Sequence, residues 1–361
     1  MGGLGITERF GFMKYYDGTK LLSMKDLQGR TPAMFMCTSN RSAGKTTFFT
    51  RLCVKKFIEG KGKFMVLYRY KYELVDCASK FFKEINQLFF PEYSMSYKNK
   101  AGGMYSELFL EHNNDGHKTS CGYVVAINSA DGLKKYSHLF ADTERILFDE
   151  FQSEQNNYCE NEINKFISIY TTVARGNGQQ SRYVPVYMLA NNVTVLNPYY
   201  SELGISERLK PDTNFLRGNG WVLEQGFNES ASNELQNSTF MSAFKGNMTN
   251  YITGEKVYLY SDTAFIEKMC GVNRYLCTIK VDNNEFAIRE YENGIYYCND
   301  IIDKNCLHKI SVTALDHNIN YVMLSRFAPL TEHLRRAFDY GQFRFKNETC
   351  KNAVLSFLRI I

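Results

Sequence analysis

Apolar and polar positions switch repeatedly between two periods along the first 220 or so residues. Residues 33–38 (AMFMCT) form a short unbroken apolar run, the pattern of a strand buried on both faces. A glycine-containing loop follows. Residues 46–59 then carry Phe49, Cys53 and Phe57 at helical spacing, one stripe of an amphipathic helix. Residues 64–70 (FMVLYRY) return to the strand pattern. Residues 73–90 read as a helix, stopped by Pro91. Residues 104–111 and 121–128 read as a hairpin around the polar turn at 113–116. Residues 145–148 are a buried strand, 157–174 a helix ending at Gly176, and 183–190 (YVPVYMLA) another strand. Strands alternating with helices predict an α/β domain over residues 1–225, a mainly parallel sheet with helices on both faces.

The pattern changes after Trp221. Residues 226–250 are rich in Asn, Ser and Glu and weakly helical, which predicts a linker or small lid. From Tyr251 the chain is strand-rich (KVYLYS, RYLCTIKV, EFAIREY, GIYYCND) and closes on helix-like stretches at 330–340 and 348–358. This predicts a second, smaller α+β domain over residues 251–361.

Composition agrees with that division. At 361 residues the chain has room for two domains. Hydrophobic residues make up 44% and aromatic residues 15%, a globular rather than a disordered balance. A net charge of +5 permits contact with a polyanion without requiring it, and a ring of copies would multiply it around an axis. The ten cysteines include no C-x-x-C pair, and Cys37, Cys53 and Cys277 sit inside apolar runs. They read as reduced thiols of a cytoplasmic protein. No apolar run approaches the ~18 residues of a membrane span, and the first residues lack the apolar stretch of a signal peptide.

The sharpest chemical signal is Ser39-Asn40-Arg41-Ser42-Ala43-Gly44-Lys45-Thr46, between a predicted strand and a predicted helix. That is the context of a Walker A loop, in which main-chain amides and a helix N-terminus face phosphates. Lys45 would reach the β- and γ-phosphates and Thr46 would ligate Mg²⁺, with Thr47 counted in the same nucleotide-binding segment. Ser39 stands where the pattern has its first glycine. Residues 145–151 (RILFDEF) supply a Walker B pattern, an apolar strand ending in two carboxylates. Asp149 would hold the Mg²⁺ and Glu150 would polarise the attacking water, so the pair predicts ATP hydrolysis of the catalytic-glutamate class. The next strand ends at Asn191, a candidate sensor of the γ-phosphate. Ring ATPases complete each site with a cation from a neighbour. Arg175, at the end of the 157–174 helix, is the candidate, with Arg182 as alternative. Arg41 could act in cis, and Lys71, Lys134 and Lys135 are further cations.

Residues 68–74 (YRYKYEL), 146–151 (ILFDEF) and 189–199 (LANNVTVLNPY), in this order after the P-loop, resemble the DNA-packaging ATPase family of φ29-like tailed phages. Weaker matches run through 252–254 (ITG), 265–268 (FIEK) and 353–361. The resemblance implies a homomeric ring, a pentamer, docked on the portal of an empty capsid and translocating double-stranded DNA with ATP. It implies trans-acting roles for Lys71 and Arg175. It also implies a location in the host bacterial cytoplasm and transiently on the procapsid. Tyr68 stands where the family more often has a basic residue.

Larger packaging terminases carry an RNase H-like nuclease at the position of the second domain, and that chemistry needs several carboxylates on two metal ions. Asp282, Glu285, Glu290, Asp300 and Asp303 fall mostly in turn-like stretches, which predicts a nuclease-like fold without nuclease activity. A basic tail (Arg335, Arg336, Arg344, Lys346, Lys351, Arg359) with Tyr340, Phe343 and Phe345 interleaved suits nucleic acid or an acidic portal surface, and in the family this domain meets the portal or a scaffold RNA. DNA contacts of a packaging motor must ignore sequence and go to phosphates. Lys98 and Lys100, read as lying in a loop, are the candidates for the channel. The rival functions are a terminase with an active nuclease and another P-loop translocase or helicase.

Overall fold

The computed structural model describes residues 16–153, 157–175, 181–193, 197–205, 208–209, 213–226, 265–312, 316–323 and 328–360. The chain divides into two compact units, residues 1–192 with 211–257, and residues 193–210 with 258–361. The expected linker at 226–250, apart from Gly226, and the strand KVYLYS lie outside the described residues, as does the ITG match.

The first unit is built on a nine-stranded sheet. Its strands are β1 (Met34–Ser39), β2 (Lys63–Tyr68), β3 (Tyr93–Lys100), β4 (Tyr105–His112), β5 (Lys118–Ala126), β6 (Thr143–Asp149), β7 (Val186–Asn191), β8 (Phe215–Arg217) and β9 (Trp221–Gln225), in the order β3-β4-β5-β2-β6-β7-β1-β9-β8. The strands from β5 through β9 in that order are all parallel. Antiparallel strands close both edges, β3 and β4 on one side and β8 on the other. Central strands such as β1 are buried on both faces, which is why they read as unbroken apolar runs. The helices are α1 (Thr19–Ser23), α2 (Lys45–Ile58), α3 (Glu73–Phe89), α4 (Ala130–Leu133) and α5 (Glu162–Ala174). On α2, Phe49, Cys53 and Val54 pack with Phe35 and Cys37 of β1.

Four local readings change. Residues 93–100 (YSMSYKNK) are a strand rather than a loop, paired with β4 through all eight positions. None of the eight is fully buried: Tyr93, Met95 and Tyr97 pack half-buried against the core from one face, and the polar run Lys98-Asn99-Lys100 ends this edge strand. The hairpin of β8 and β9, around Gly218–Gly220, has no counterpart in the sequence pattern, which changes only after Trp221. Helix α5 begins five residues later than its apolar stripe suggested, because Asn161 takes a left-handed φ of 55°. Strand β7 begins only after Pro185, which has no amide to give to a ladder.

The second unit is α+β. It holds α6 (Pro198–Glu202) and a six-stranded sheet of β10 (Asn273–Val281), β11 (Asn284–Tyr291), β12 (Tyr296–Asn299), β13 (Lys309–Ser311), β14 (Val322–Met323) and β15 (Phe343–Phe345). The order is β14-β13-β10-β11-β12-β15. Strands β10, β11 and β12 form an antiparallel meander. Strands β13, β14 and β15 join it in parallel. The β10–β11 turn is Asp282-Asn283, both at positive φ, as the tightest hairpins require. Helices α7 (Ala328–Asp339) and α8 (Glu348–Ile360) give Leu334, Ala337, Ala353, Val354 and Phe357 to the core over this sheet.

Candidate nucleotide-binding site

The parallel strands end side by side, so the loops after β1, β6 and β7 meet at one edge of the sheet. After β1 the chain turns through residues 40–44 and enters α2 at Lys45. Two residues take positive φ here, Ser42 at 59° and Gly44 at 92°. Ser39, in place of the first pattern glycine, is the last residue of β1 and pairs in register with Asn191. Its backbone is a strand's, so a side chain fits without strain. Its hydroxyl also accepts a hydrogen bond from Lys45 Nζ at 2.8 Å.

Lys45 is buried, and its ammonium also donates to the carbonyls of Ser39 at 3.3 Å and Asn40 at 3.1 Å. Asn191 Oδ1 lies 3.5 Å away. Burial holds the pKa of Lys45 below its ordinary value. The Thr46 hydroxyl points at the Asp149 carboxylate, 3.3 and 3.2 Å from its two oxygens. Burial and the neighbouring Glu150 push the Asp149 carboxyl up to about 6. Glu150 is exposed at a left-handed φ of 57°. These groups line a cleft of about 350 Å³, together with Ser42, Ala43, Gly44, Thr47, Ala190 and Asn191.

The cleft suits a triphosphate and a divalent ion. Residues 42–47 bring a helix N-terminus, one ammonium and the Thr46 hydroxyl to the cleft, and the end of β6 brings an acidic pair. A carboxylate whose proton affinity is raised by a like-charged neighbour gains from a bound cation.

Other predicted residues lie elsewhere. Asn40 and Arg41 belong to the loop but do not line the cleft. Arg175 caps the C-terminal end of α5, exposed, and its guanidinium makes no ion pair or hydrogen bond among the described residues. Arg182 is occupied: it binds Glu144 at 2.9 Å and the carbonyls of Thr143 at 2.5 Å and Val173 at 3.0 Å. Lys71 is exposed and donates to the Gly102 carbonyl at 3.0 Å, on the turn between β3 and β4. Lys134 pairs with Asp131. The loop expected to carry Lys98 and Lys100 is strand β3, where Lys100 pairs with Glu107 at 3.3 Å.

Sequence reasoning missed Arg69 and Glu162. Arg69 is buried between the turn after β6 and the start of α5, with Glu162 Oε2 2.9 Å from its Nε. It also missed Tyr16, whose amide donates to the Ala43 carbonyl at 2.8 Å and whose hydroxyl donates to Glu224 at 2.5 Å, bracing the P-loop from behind. Arg69 lies inside YRYKYEL, but a single arginine beside an apolar strand carries no mark of burial.

In the second unit the five carboxylates have separate tasks. Glu285 accepts from Tyr321, Glu290 from Arg274 and Tyr296, Asp300 pairs with Lys346, and Asp303 caps a turn at Asn305. Asp282 lies near Asp316, and burial with that neighbour pushes its carboxyl up to about 6. No three His, Cys, Asp or Glu side chains among the described residues are grouped to hold a metal. Much of the basic tail is neutralised internally: Arg336 by Glu332, Arg344 by Glu267 and Lys346 by Asp300. No helix among the described residues is long and apolar enough to cross a membrane.

Comparison with known proteins extends this picture. The DNA packaging protein of Bacillus phage B103 is 24% identical over 319 residues, covering 85% of this chain and 91% of that protein. The solved bacteriophage Phi-29 viral genome packaging motor assembly matches with a TM-score of 0.63 and 21% identity, over 96% of this chain and 99% of that one. The Phi-28 gp11 DNA packaging motor matches with a TM-score of 0.58 and 16% identity, over 96% and 98% of the two chains. These structural likenesses are of fold, a P-loop ATPase-like sheet with flanking helices. A family model, the Podovirus DNA encapsidation protein (Gp16), matches residues 13–360, and with that match along nearly its whole length the chain belongs to this family.

Proposed function

We propose that this chain is the ATP-hydrolysing subunit of a motor that drives double-stranded viral DNA into a preformed capsid, working as a homomeric ring, a pentamer, on the portal. The observation that carries the reading is the meeting of Thr46 with Asp149 opposite Lys45 in one cleft. The P-loop and the acidic pair come from segments about 100 residues apart, so their juxtaposition is a property of the fold. Family membership and the likeness in fold to packaging motors support the same conclusion.

Amides of residues 42–47 and the Lys45 ammonium would bind the phosphates. Thr46 and Asp149 would hold Mg²⁺, which when bound neutralises charge on the phosphate oxygens. Glu150 would orient the attacking water and accept its proton, and Asn191 would sense the γ-phosphate. Arg175 would complete the site of a neighbouring subunit, and so would Lys71. Exposure at a helix end supports the choice of Arg175, and the internal contacts of Arg182 weigh against the alternative. Lys98 remains a candidate for DNA phosphates, now from an edge strand. Lys100, held by Glu107, is the weaker of the two. The second unit is read as an RNase H-like fold without nuclease activity, supported by its meander flanked by parallel strands and by its engaged carboxylates. It would meet the portal or a scaffold RNA.

The test is ATP turnover by assembled rings on DNA. Lys45→Ala should abolish turnover in every state. Arg175→Ala should lower it on the order of 10³-fold in rings. Mixing Arg175→Ala with Glu150→Gln subunits should restore turnover at interfaces that pair an intact Glu150 with an intact Arg175. Wild-type turnover by uniform Arg175→Ala rings would exclude the trans assignment.

A further inference from the structure

Helix α5, strand β2 and the turn after β6 converge on one buried guanidinium. Arg69 follows β2 and is 7% exposed. Its Nε donates to both oxygens of Glu162, at 3.1 and 2.9 Å. Its Nη1 donates to the main-chain carbonyl of Glu150 at 3.2 Å, and its Nη2 to that of Phe151 at 2.8 Å. The rings of Tyr158 and Phe148 lie 4.9 and 5.8 Å from the guanidinium carbon. Glu162 is the first residue of α5, and its carboxylate also accepts the Cys159 amide at 2.8 Å. The backbone of Arg69 is fixed as well. Its amide and that of Tyr70 donate to Glu73, and its carbonyl accepts from the Asn128 amide.

Two physical points give this arrangement meaning. A buried ion pair is a poor source of stability, because desolvation offsets its attraction; fixing a specific arrangement is its best-attested use. The arrangement fixed here is a costly one, since Glu150 is a non-glycine residue in the left-handed region, which persists only where the surroundings impose it. The guanidinium takes hold of the two successive carbonyls that flank Phe151, the first of them Glu150's own, and so sets where the Glu150 side chain leaves the main chain.

We propose that Arg69, anchored by Glu162, is the positioning residue for Glu150: it holds the turn after β6 in the conformation that aims the carboxylate into the cleft, and it fastens that turn to the start of α5. The inference rests on the reading of Glu150 as the group that orients water.

Arg69→Met alone would leave the Glu162 carboxylate buried and unpaired. The informative variant is therefore Arg69→Met with Glu162→Gln, accompanied by Arg69→Lys. Each is made in the wild-type and the Glu150→Gln background. Thermal melts establish folding, a labelled ATP analogue reports binding, and single-turnover assays report hydrolysis. In folded protein the paired variant should bind the analogue within about threefold of wild type while hydrolysis falls about 30- to 100-fold, as misplacement of a reacting group does. Arg69→Lys should recover part of the rate, since an ammonium can pair with Glu162 but cannot grip two carbonyls as a fork does. In the Glu150→Gln background the paired variant should cause no further loss. A paired variant that hydrolyses ATP within threefold of wild type overturns the proposal, as does an equal loss in both backgrounds. If Glu150→Gln itself hydrolyses ATP normally, the fault lies in the role given to Glu150, and the positioning role falls with it.

Discussion

At the residue scale the cleft is an electrostatic arrangement awaiting a counterpart. Lys45 is surrounded by neutral oxygens, and burial makes its charge costly. Asp149 carries the opposite tension, its proton affinity raised by burial and Glu150. The consequence for stability has a definite sign. In the unfolded chain an aspartate loses its proton near 3.9, whereas here it does so near about 6. Between those values the folded chain binds more protons, so this group's contribution to stability falls as pH rises through the window. In metal-free buffer, Asp149→Asn should therefore melt above the wild type by a few degrees at pH 7.5, with the difference vanishing near pH 4. Addition of Mg²⁺ and nucleotide should raise the wild-type melting temperature more than the variant's. The residues of this cleft were legible in the sequence because each follows a buried strand whose apolar run announces it. Arg69 and Glu162 were not, because they are 93 positions apart and each alone looks like a surface charge.

At the element scale, α5 is fastened at both ends. Its last carbonyls would otherwise lack partners, as at any helix end. Arg182 meets this need: its amide donates to the Ala174 carbonyl at 3.0 Å and its guanidinium to that of Val173. The same guanidinium reaches Glu144 and the Thr143 carbonyl at the start of β6. The end of α5 that carries Arg175 is thereby tied to the strand that carries Asp149. Arg182→Ala should lower stability by about 1–3 kcal/mol, the cost of buried partners left unsatisfied, read as a lower melting temperature. In rings it should also reduce turnover while leaving nucleotide binding unchanged, because the exposed arginine then loses its footing. A variant with normal ring turnover would show that Arg175 does not need this anchor. The sequence showed α5 through its apolar stripe but placed its start five residues early, since a left-handed Asn161 leaves no trace in periodicity. Strand β3 escaped for a different reason: its apolar alternation of Tyr93, Met95 and Tyr97 is short and only half-buried against the core, and Lys98, Asn99 and Lys100 end it in a polar run that reads as a loop.

At the scale of the whole molecule the two units differ in how they use acidic residues. In the first, Asp149 and Glu150 stand adjacent at the end of one strand, facing a cleft. In the second, carboxylates are distributed among ion pairs, tyrosines and turns. The case closest to a cation site is Asp282 with Asp316, but the Asp316 oxygens already accept the amides of Asp282 at 3.1 Å and Asn283 at 2.8 Å. Both of those residues sit at positive φ, so Asp316 has a structural task, holding the hairpin between β10 and β11. A two-metal nuclease needs several carboxylates free to converge on its ions. The purified chain should therefore leave supercoiled plasmid intact in Mn²⁺ or Mg²⁺. Asp316→Ala should destabilise the second unit by about 1–3 kcal/mol without altering ATP turnover by the first. Nicking that disappears on Asp282→Ala or Asp300→Ala would mean that these carboxylates rearrange around metal, and the second unit would then be a nuclease.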